Sequence, residues 1–169
     1  MPTETLSDSH APPPTRTNLQ PWVATVVRLG LAAVALAAGL SKIGDLPASV
    51  RAVRAYELLP ETLAVLVGNG LPMVEIIIGA LLAAGLFTRA TAATFGLLML
   101  AFIAGLISAW ARGLAIDCGC FGGGGPVEPD QTTYLWDLLR DLVFLAGAAF
   151  VVRWPRTRLS LDRALSLTD

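Results

Sequence analysis

Residues 22–41 read WVATVVRLGLAAVALAAGLS, twenty positions carrying a single charge. About 20 apolar residues are needed for a helix to cross the ~30 Å hydrocarbon core of a bilayer. Three further runs of this kind follow, near 62–86, 90–110 and 133–152. Hydrocarbon offers no water to satisfy backbone N–H and C=O groups, so each run must bond its backbone internally, as a helix. The spacing of the runs predicts an all-α, integral membrane four-helix antiparallel bundle in one domain. Composition agrees. Charged residues make up 15% of the 169 positions, against about 25% in soluble domains. The net charge of −1 and the lack of a basic stripe interleaved with aromatics argue against a nucleic-acid partner. The partner that this composition implies is the lipid bilayer.

Between the first two runs lies KIGDLPASVRAVRAYELLPE. Val50, Val53 and Leu58 recur there at helical spacing, opposite Arg51 and Arg54. This pattern predicts a short amphipathic helix on the membrane surface. Pro60 and Glu61 suit the first turn of the second span, and Pro72 predicts a kink near Leu71. Residues 1–20 are polar and Pro-rich and read as a disordered tail. Residues 21–153 form the membrane domain, and 154–169 a second tail.

Four spans put both termini on one side. That side carries Arg16, Arg89, Arg153, Arg156, Arg158 and Arg163; the other carries Lys42, Arg51, Arg54 and Arg112. The positive-inside bias makes the termini cytoplasmic and the loop after the third span extracytoplasmic. Eleven arginines to one lysine fit a GC-rich bacterial genome, which makes the membrane the bacterial cytoplasmic membrane.

The extracytoplasmic loop holds IDCGCFGGGGP, with both cysteines of the chain, Cys118 and Cys120, one residue apart. Disulfides persist in that compartment. A bridge across one residue removes little loop entropy, so it is a poor staple. Its small ring is strained, and strained, exposed disulfides are the exchangeable ones. Gly119 widens the backbone angles at the one residue that must bend. A soft metal such as Cu(I) is the alternative, but no histidine or methionine in the loop completes a site, and Asp117 is the only adjacent carboxylate. An inert loop is the third reading. The single histidine, His10, lies in the leader, so histidine-held haem, imidazole zinc sites and Cys–His nucleophiles are excluded from the membrane domain.

Charges inside spans are functional suspects. Counted from opposite membrane faces, Arg28 and Glu75 fall at nearly equal depth and are expected to pair, as a register-fixing ion pair or as a proton- or quinone-handling site. Asp137, Arg140 and Asp141 share one face of the fourth helix by their i, i+3, i+4 spacing. With Lys42 they are expected to form a polar cluster below the cysteines. A cation there would lower a thiol pKa; helix capping and interhelical salt bridges at the bilayer edge are the alternative. Met73 and Met99 read as core filler.

These elements, taken together as GLSKIGD, YELLPE, LPMVEIIIGALLAAGL, SAWARGLAIDCGCFGGG and YLWDLLRDL, resemble the MauE branch of the DoxX-like membrane proteins. The likeness runs over residues 22–152. It implies a redox-associated four-helix membrane protein, linked to methylamine utilisation. Such proteins help mature a disulfide-rich dehydrogenase subunit beside a thioredoxin-like partner. By position, Cys118 and Cys120 would be the redox pair. Lys42, Glu75 and the Asp137–Arg140–Asp141 group would be characteristic polar positions. Three functions follow for testing. The first is a thiol–disulfide oxidoreductase, or an accessory subunit of one, passing electrons onward to a membrane quinone. The second is a non-catalytic scaffold recruiting a soluble oxidoreductase. The third is a soft-metal or small-molecule carrier.

Overall fold

The computed structural model describes residues 19–155, 157 and 159–164, the last two by backbone only. The leader with His10 and Arg16 lies outside the described residues, as do Arg156 and Arg158. The chain is helical, with α1 at Gln20–Ile43, α2 at Leu46–Ala55, α3 at Glu61–Ala84, α4 at Thr88–Ala111, α5 at Tyr134–Arg153 and α6 at Leu161–Ala164. α1, α3 and α4 are each 24 residues long and apolar enough to cross a membrane. At 1.5 Å per residue each spans roughly 36 Å, more than the ~30 Å core. The outward faces of these helices carry Val26, Leu66 and Leu97, all exposed. An apolar exterior of this extent belongs in lipid rather than in water. α5 is 20 residues long, and its first two turns carry Asp137, Arg140 and Asp141.

α1 packs along α3 and also touches α5, while α4 packs along α5 and touches α3. Small residues set the α1–α3 spacing. A Cβ on Gly39 would lie 2.7 Å from the Pro72 carbonyl oxygen, and one on Gly79 would lie 2.9 Å from the Leu36 nitrogen. Close approach of this kind replaces the hydrophobic drive that lipid does not supply. The core they enclose is built from Leu31, Ala35, Ile78, Leu82, Phe95 and Val151, among others. α3 continues as helix through Pro72.

α2 turns its buried face, Ser49, Val50 and Ala52, towards the protein. Val50 sits directly on Gly68 of α3, where an added Cβ would be 2.6 Å from its Cα. Asp45 caps α2 by accepting the Ala48 N–H at 2.9 Å. Leu58 is exposed, and Arg54 pairs with Glu61 at the start of α3.

At the end where α1 begins and α5 ends, α4 has no side-chain cap of its own. The residues after α5 supply one. Asp162 accepts the N–H groups of Phe87 at 2.7 Å and Thr88 at 2.8 Å, and its own N–H bonds to the Gly85 carbonyl.

Candidate functional site

The cysteine loop sits at the opposite end, closed by a two-residue antiparallel ladder. β1 (Ile116–Asp117) pairs with β2 (Gly125–Pro126), Asp117 opposite Gly125. The intervening turn folds back on itself and rests on α2. At Gly119 φ is +67°, and an added Cβ would lie 2.9 Å from the Ala52 Cβ; at Gly124 φ is +83°, and a Cβ would lie 2.6 Å from the Gly119 Cα. These glycines therefore do more than loosen the loop: no side chain fits between the two arms and α2.

Three helices hold this loop. Tyr56, just past α2, donates its hydroxyl to the Cys118 carbonyl at 3.2 Å. Tyr134, at the start of α5, donates to the Leu114 carbonyl and accepts the Ile116 N–H at 3.2 Å. Its ring stacks on Trp110 of α4. Leu106, Ala109, Ile116 and Tyr134 form a small second core directly beneath.

The two sulfurs lie 2.9 Å apart, as free thiols. Their environments differ. Cys118 Sγ accepts from Arg140 Nη2 at 3.4 Å and from the Cys120 N–H at 3.4 Å. The hydrogen bond between the two thiols holds Cys118 below the ordinary thiol range; burial opposes this, and Arg140 reinforces it. The same bond, with burial and the neighbouring Cys118 charge, pushes Cys120 upward. The pair is thus polarised into one thiolate-prone sulfur and one that keeps its proton. Burial, then the adjacent cysteines, pushes the Tyr56 hydroxyl up, so it stays a neutral donor.

Arg140 organises the face below. It pairs with Asp137 at 2.9 Å and Asp141 at 3.1 Å, and its guanidinium lies 5.3 Å from the Phe121 ring centre. Thr133 donates to the second oxygen of Asp137 at 2.8 Å. Asp117, Cys118 and Asp137 each place one donor atom within 4.8 Å of the others, a spacing open to a cation. Arg140 already touches two of the three, so a metal would have to compete with a fixed guanidinium.

The expected Arg28–Glu75 pair does not form. Arg28 is 1% exposed and donates to the carbonyls of Leu82, Ala83 and Leu159. It therefore closes the C-terminal end of α3, where carbonyls lack helical partners and a cation is favoured. Glu75 pairs instead with Lys42 at 2.6 Å; the two side chains are 3% and 4% exposed. The depth count failed because α1 is staggered along α3. Arg28 meets Leu82 while Gly39 meets Pro72 and Ile76, so α1 begins well beyond the end of α3. Side chains also lean towards the N-terminus of their helix. Lys42 leans down into the bundle and Glu75 leans up to meet it. Lys42 is for this reason absent from the expected cluster with Asp137, Arg140 and Asp141, which forms without it.

Two small cavities lie between the ion pair and the loop, and Phe102 and Cys120 border both. One, about 20 Å³, is lined by Glu75, Asp141 and Phe121; the other, about 40 Å³, by Lys42, Tyr56 and Cys118. The site thus unites Asp117, Cys118, Gly119, Cys120, Asp137, Arg140 and Asp141, with Lys42 and Glu75 beneath and Arg28 at the far end. Tyr56, Tyr134, Phe102 and Phe121 complete it. No periodicity or spacing marks those four, since their roles depend on contacts between residues far apart in sequence, as between Tyr56 and Cys118, 62 positions apart.

Residues 20–153 match the family described as methylamine utilisation protein MauE. A curated relative, methylamine utilization protein MauE of Paracoccus denitrificans, is 34% identical over 107 residues, which cover 63% of this chain and 58% of the relative. The chain therefore spans less than two thirds of that relative. No solved structure matches.

Proposed function

This chain belongs to the MauE family, and from that premise we propose that it is an accessory membrane protein of disulfide maturation, exchanging thiols and disulfides through Cys118 and Cys120. One observation carries the reading: a 2.9 Å sulfur pair in which only Cys118 touches a guanidinium. Cys118 is the exchanging sulfur, because the thiolate is the nucleophile and a nearby cation favours it. Cys120 is the resolving sulfur, which closes or opens the internal disulfide. The partner is a thioredoxin-like extracytoplasmic protein. The client is an exported protein with disulfides to be matured, in methylamine utilisation as the relative's name suggests. Two electrons gained by the pair pass to a membrane quinone, which takes up two protons with them.

The same proposal includes the wider DoxX-like kinship, a fourth span and a sidedness. α5 counts as polar by composition, but its Asp137, Arg140 and Asp141 side chains are 7%, 20% and 3% exposed and bonded to one another. Its outward face carries Leu139, Leu142 and Val143, which suits lipid. Four spans with the arginine bias described above put the termini in the cytoplasm and Cys118 outside.

Two variants test the exchange. Cys120→Ser should accumulate a mixed disulfide between Cys118 and a thioredoxin-like partner, while Cys118→Ser should form none. Clients that remain fully oxidised in both strains would remove the cysteines from the mechanism and favour a scaffold. Labelling reduced intact cells with an impermeant maleimide reads the side; labelling only after lysis would place the loop in the cytoplasm.

A further inference from the structure

The sequence offers one carboxylate beside the cysteines, Asp117; the fold adds a second. Asp137, in the first turn of α5, brings an oxygen to the same place, so that donor atoms of Asp117, Cys118 and Asp137 lie within 4.8 Å of one another. Cys120 Sγ stands 2.9 Å from Cys118 Sγ and makes a fourth donor. Two sulfurs with two carboxylates suit zinc, which accepts both; Cu(I) prefers sulfur, and magnesium and calcium prefer oxygen. In a tetrahedral zinc site, sulfur at about 2.3 Å and oxygen at about 2.0–2.2 Å from the ion leave the donors about 3.3–3.8 Å apart. The carboxylates would close in by about 1.5 Å at most, and the sulfurs would part by about 1 Å, to reach that geometry. The local charge favours a divalent cation. Asp117, Asp137, Asp141 and a Cys118 thiolate face one guanidinium, Arg140, while Lys42 is spent on Glu75. Asp117 has no ion pair among the described residues. A nucleophilic thiolate alone gives no reason for two carboxylates beside it, since each disfavours its charge. Arg140 yields without being stranded. Its Nε and Nη2 both donate to Asp141 Oδ1, at 3.2 and 3.1 Å, and its face lies over the Phe121 ring. Those anchors remain when Asp137 and Cys118 turn to an ion. Thr133 on the other Asp137 oxygen is the kind of partner that orients a metal ligand.

We propose that the reduced loop binds one zinc ion, held by Cys118 and Cys120 through sulfur and by Asp117 and Asp137 through oxygen. Binding is acid–base chemistry only: the ion takes two thiolates, the thiol protons pass to solvent, and no electron moves. Oxidation by a partner disulfide joins the two sulfurs, passes two electrons to the partner and removes both thiolate charges, so the ion leaves. The ion is therefore a reversible guard on the reduced pair, because it occupies the sulfur electrons that attack a disulfide. For this consequence the inference rests on the exchange chemistry proposed above; the binding itself does not.

The full chain in detergent micelles, reduced and freed of metal, is titrated with zinc against a chromophoric chelator, and with cadmium, whose ultraviolet charge-transfer band reports thiolate ligands. We expect one equivalent on the reduced protein and none on the oxidised. Asp117→Asn and Asp137→Asn should each weaken zinc binding about tenfold or more, since losing even an outer partner of a metal ligand costs about 10- to 100-fold. Asp130→Asn, in the short 3-10 turn after β2 and outside the donor set, is the control and should bind as the native chain does. Zinc should also slow alkylation of Cys118 by iodoacetamide, and a chelator should restore it. No zinc on the reduced protein, or equal binding after oxidation, would overturn the inference. Native affinity in both Asp117→Asn and Asp137→Asn would overturn it too, by leaving the ion on sulfur alone. So would an equal loss in Asp130→Asn, which makes the effect one of surface charge. The Cys120→Ser trap described above, run with chelator present, tests the exchange separately. A trapped partner without zinc binding removes the metal site and keeps the exchange; zinc binding without a trapped partner does the reverse.

Discussion

Gly124→Ala tests whether α2 seats the cysteine loop. The backbone there has φ +83°, a region that costs an L-residue about 1–2 kcal/mol. The new methyl would lie 2.6 Å from the Gly119 Cα, 2.7 Å from the Ala52 Cβ and 3.2 Å from the Gly119 nitrogen. Two of these three neighbours are backbone atoms and cannot rotate away. Forcing a methyl into a packed site costs about 1–3 kcal/mol. Together the two effects give about 2–5 kcal/mol, or roughly 30- to several-thousand-fold in the population of the seated loop at 1.4 kcal/mol per tenfold. Gly113→Ala is the matched control. Its φ is +69°, yet nothing lies within 4 Å of the added methyl, so it carries the conformational cost alone. Hydrogen exchange at the Gly119 and Cys120 amides reads the loop directly. Gly124→Ala should lose protection well beyond Gly113→Ala, and adding Ala52→Gly should restore part of it. Equal losses in the two single variants, or no recovery with Ala52→Gly, would refute the seating argument.

Two further outcomes follow from the charges. Iodoacetamide should alkylate Cys118 at pH values where an ordinary thiol is still protonated, while Cys120 reacts only under alkaline conditions. Arg140→Gln should move the Cys118 profile to higher pH, since the guanidinium favours the thiolate. At the other end, Asp162→Ala should destabilise the protein by about 0.5–2 kcal/mol, the usual cost of a lost helix cap, measured by thermal unfolding in detergent. Burial opposes ionisation of Asp162, but the hydrogen bonds from Thr88 and Phe87 and the Arg28 charge prevail and hold it below the usual carboxylate range. Its contribution is then fully present above that range and disappears as pH falls through the depressed value, so the variant and the native protein should converge in acid.

The long helices were legible because length and hydropathy are local properties. The first run was read at 22–41 and forms α1 at Gln20–Ile43; YLWDLLRDL was read as a charged helix face and its Arg140 does bridge Asp137 and Asp141. The partner of Glu75 was not legible. Depth counted from span edges assumes that the helices start in one plane, and the stagger of α1 along α3 is fixed by Gly39 against Pro72 and Gly79 against Leu36, contacts that a single sequence does not announce. The α2 pattern showed which face was apolar but not what would cover it. Asp162 was invisible for the same reason: a cap 74 positions from the N–H of Thr88 leaves no local signature.

The corrected pairing changes what the two buried cations mean. Arg28 is spent on backbone carbonyls at a helix end, a task suited to its planar fork of donors, with Asp162 near enough to feel its charge. It lies 14 residues along α1 from Lys42, roughly 21 Å, too far to tune a thiol by contact. Lys42 and Glu75 are a different case. A register pin needs one hydrogen bond, and apolar residues of similar volume serve stability at least as well as a buried ion pair. The pair here leaves one carboxylate oxygen buried with no hydrogen-bond partner among the described residues. Packing alone gives no reason for that oxygen to be there.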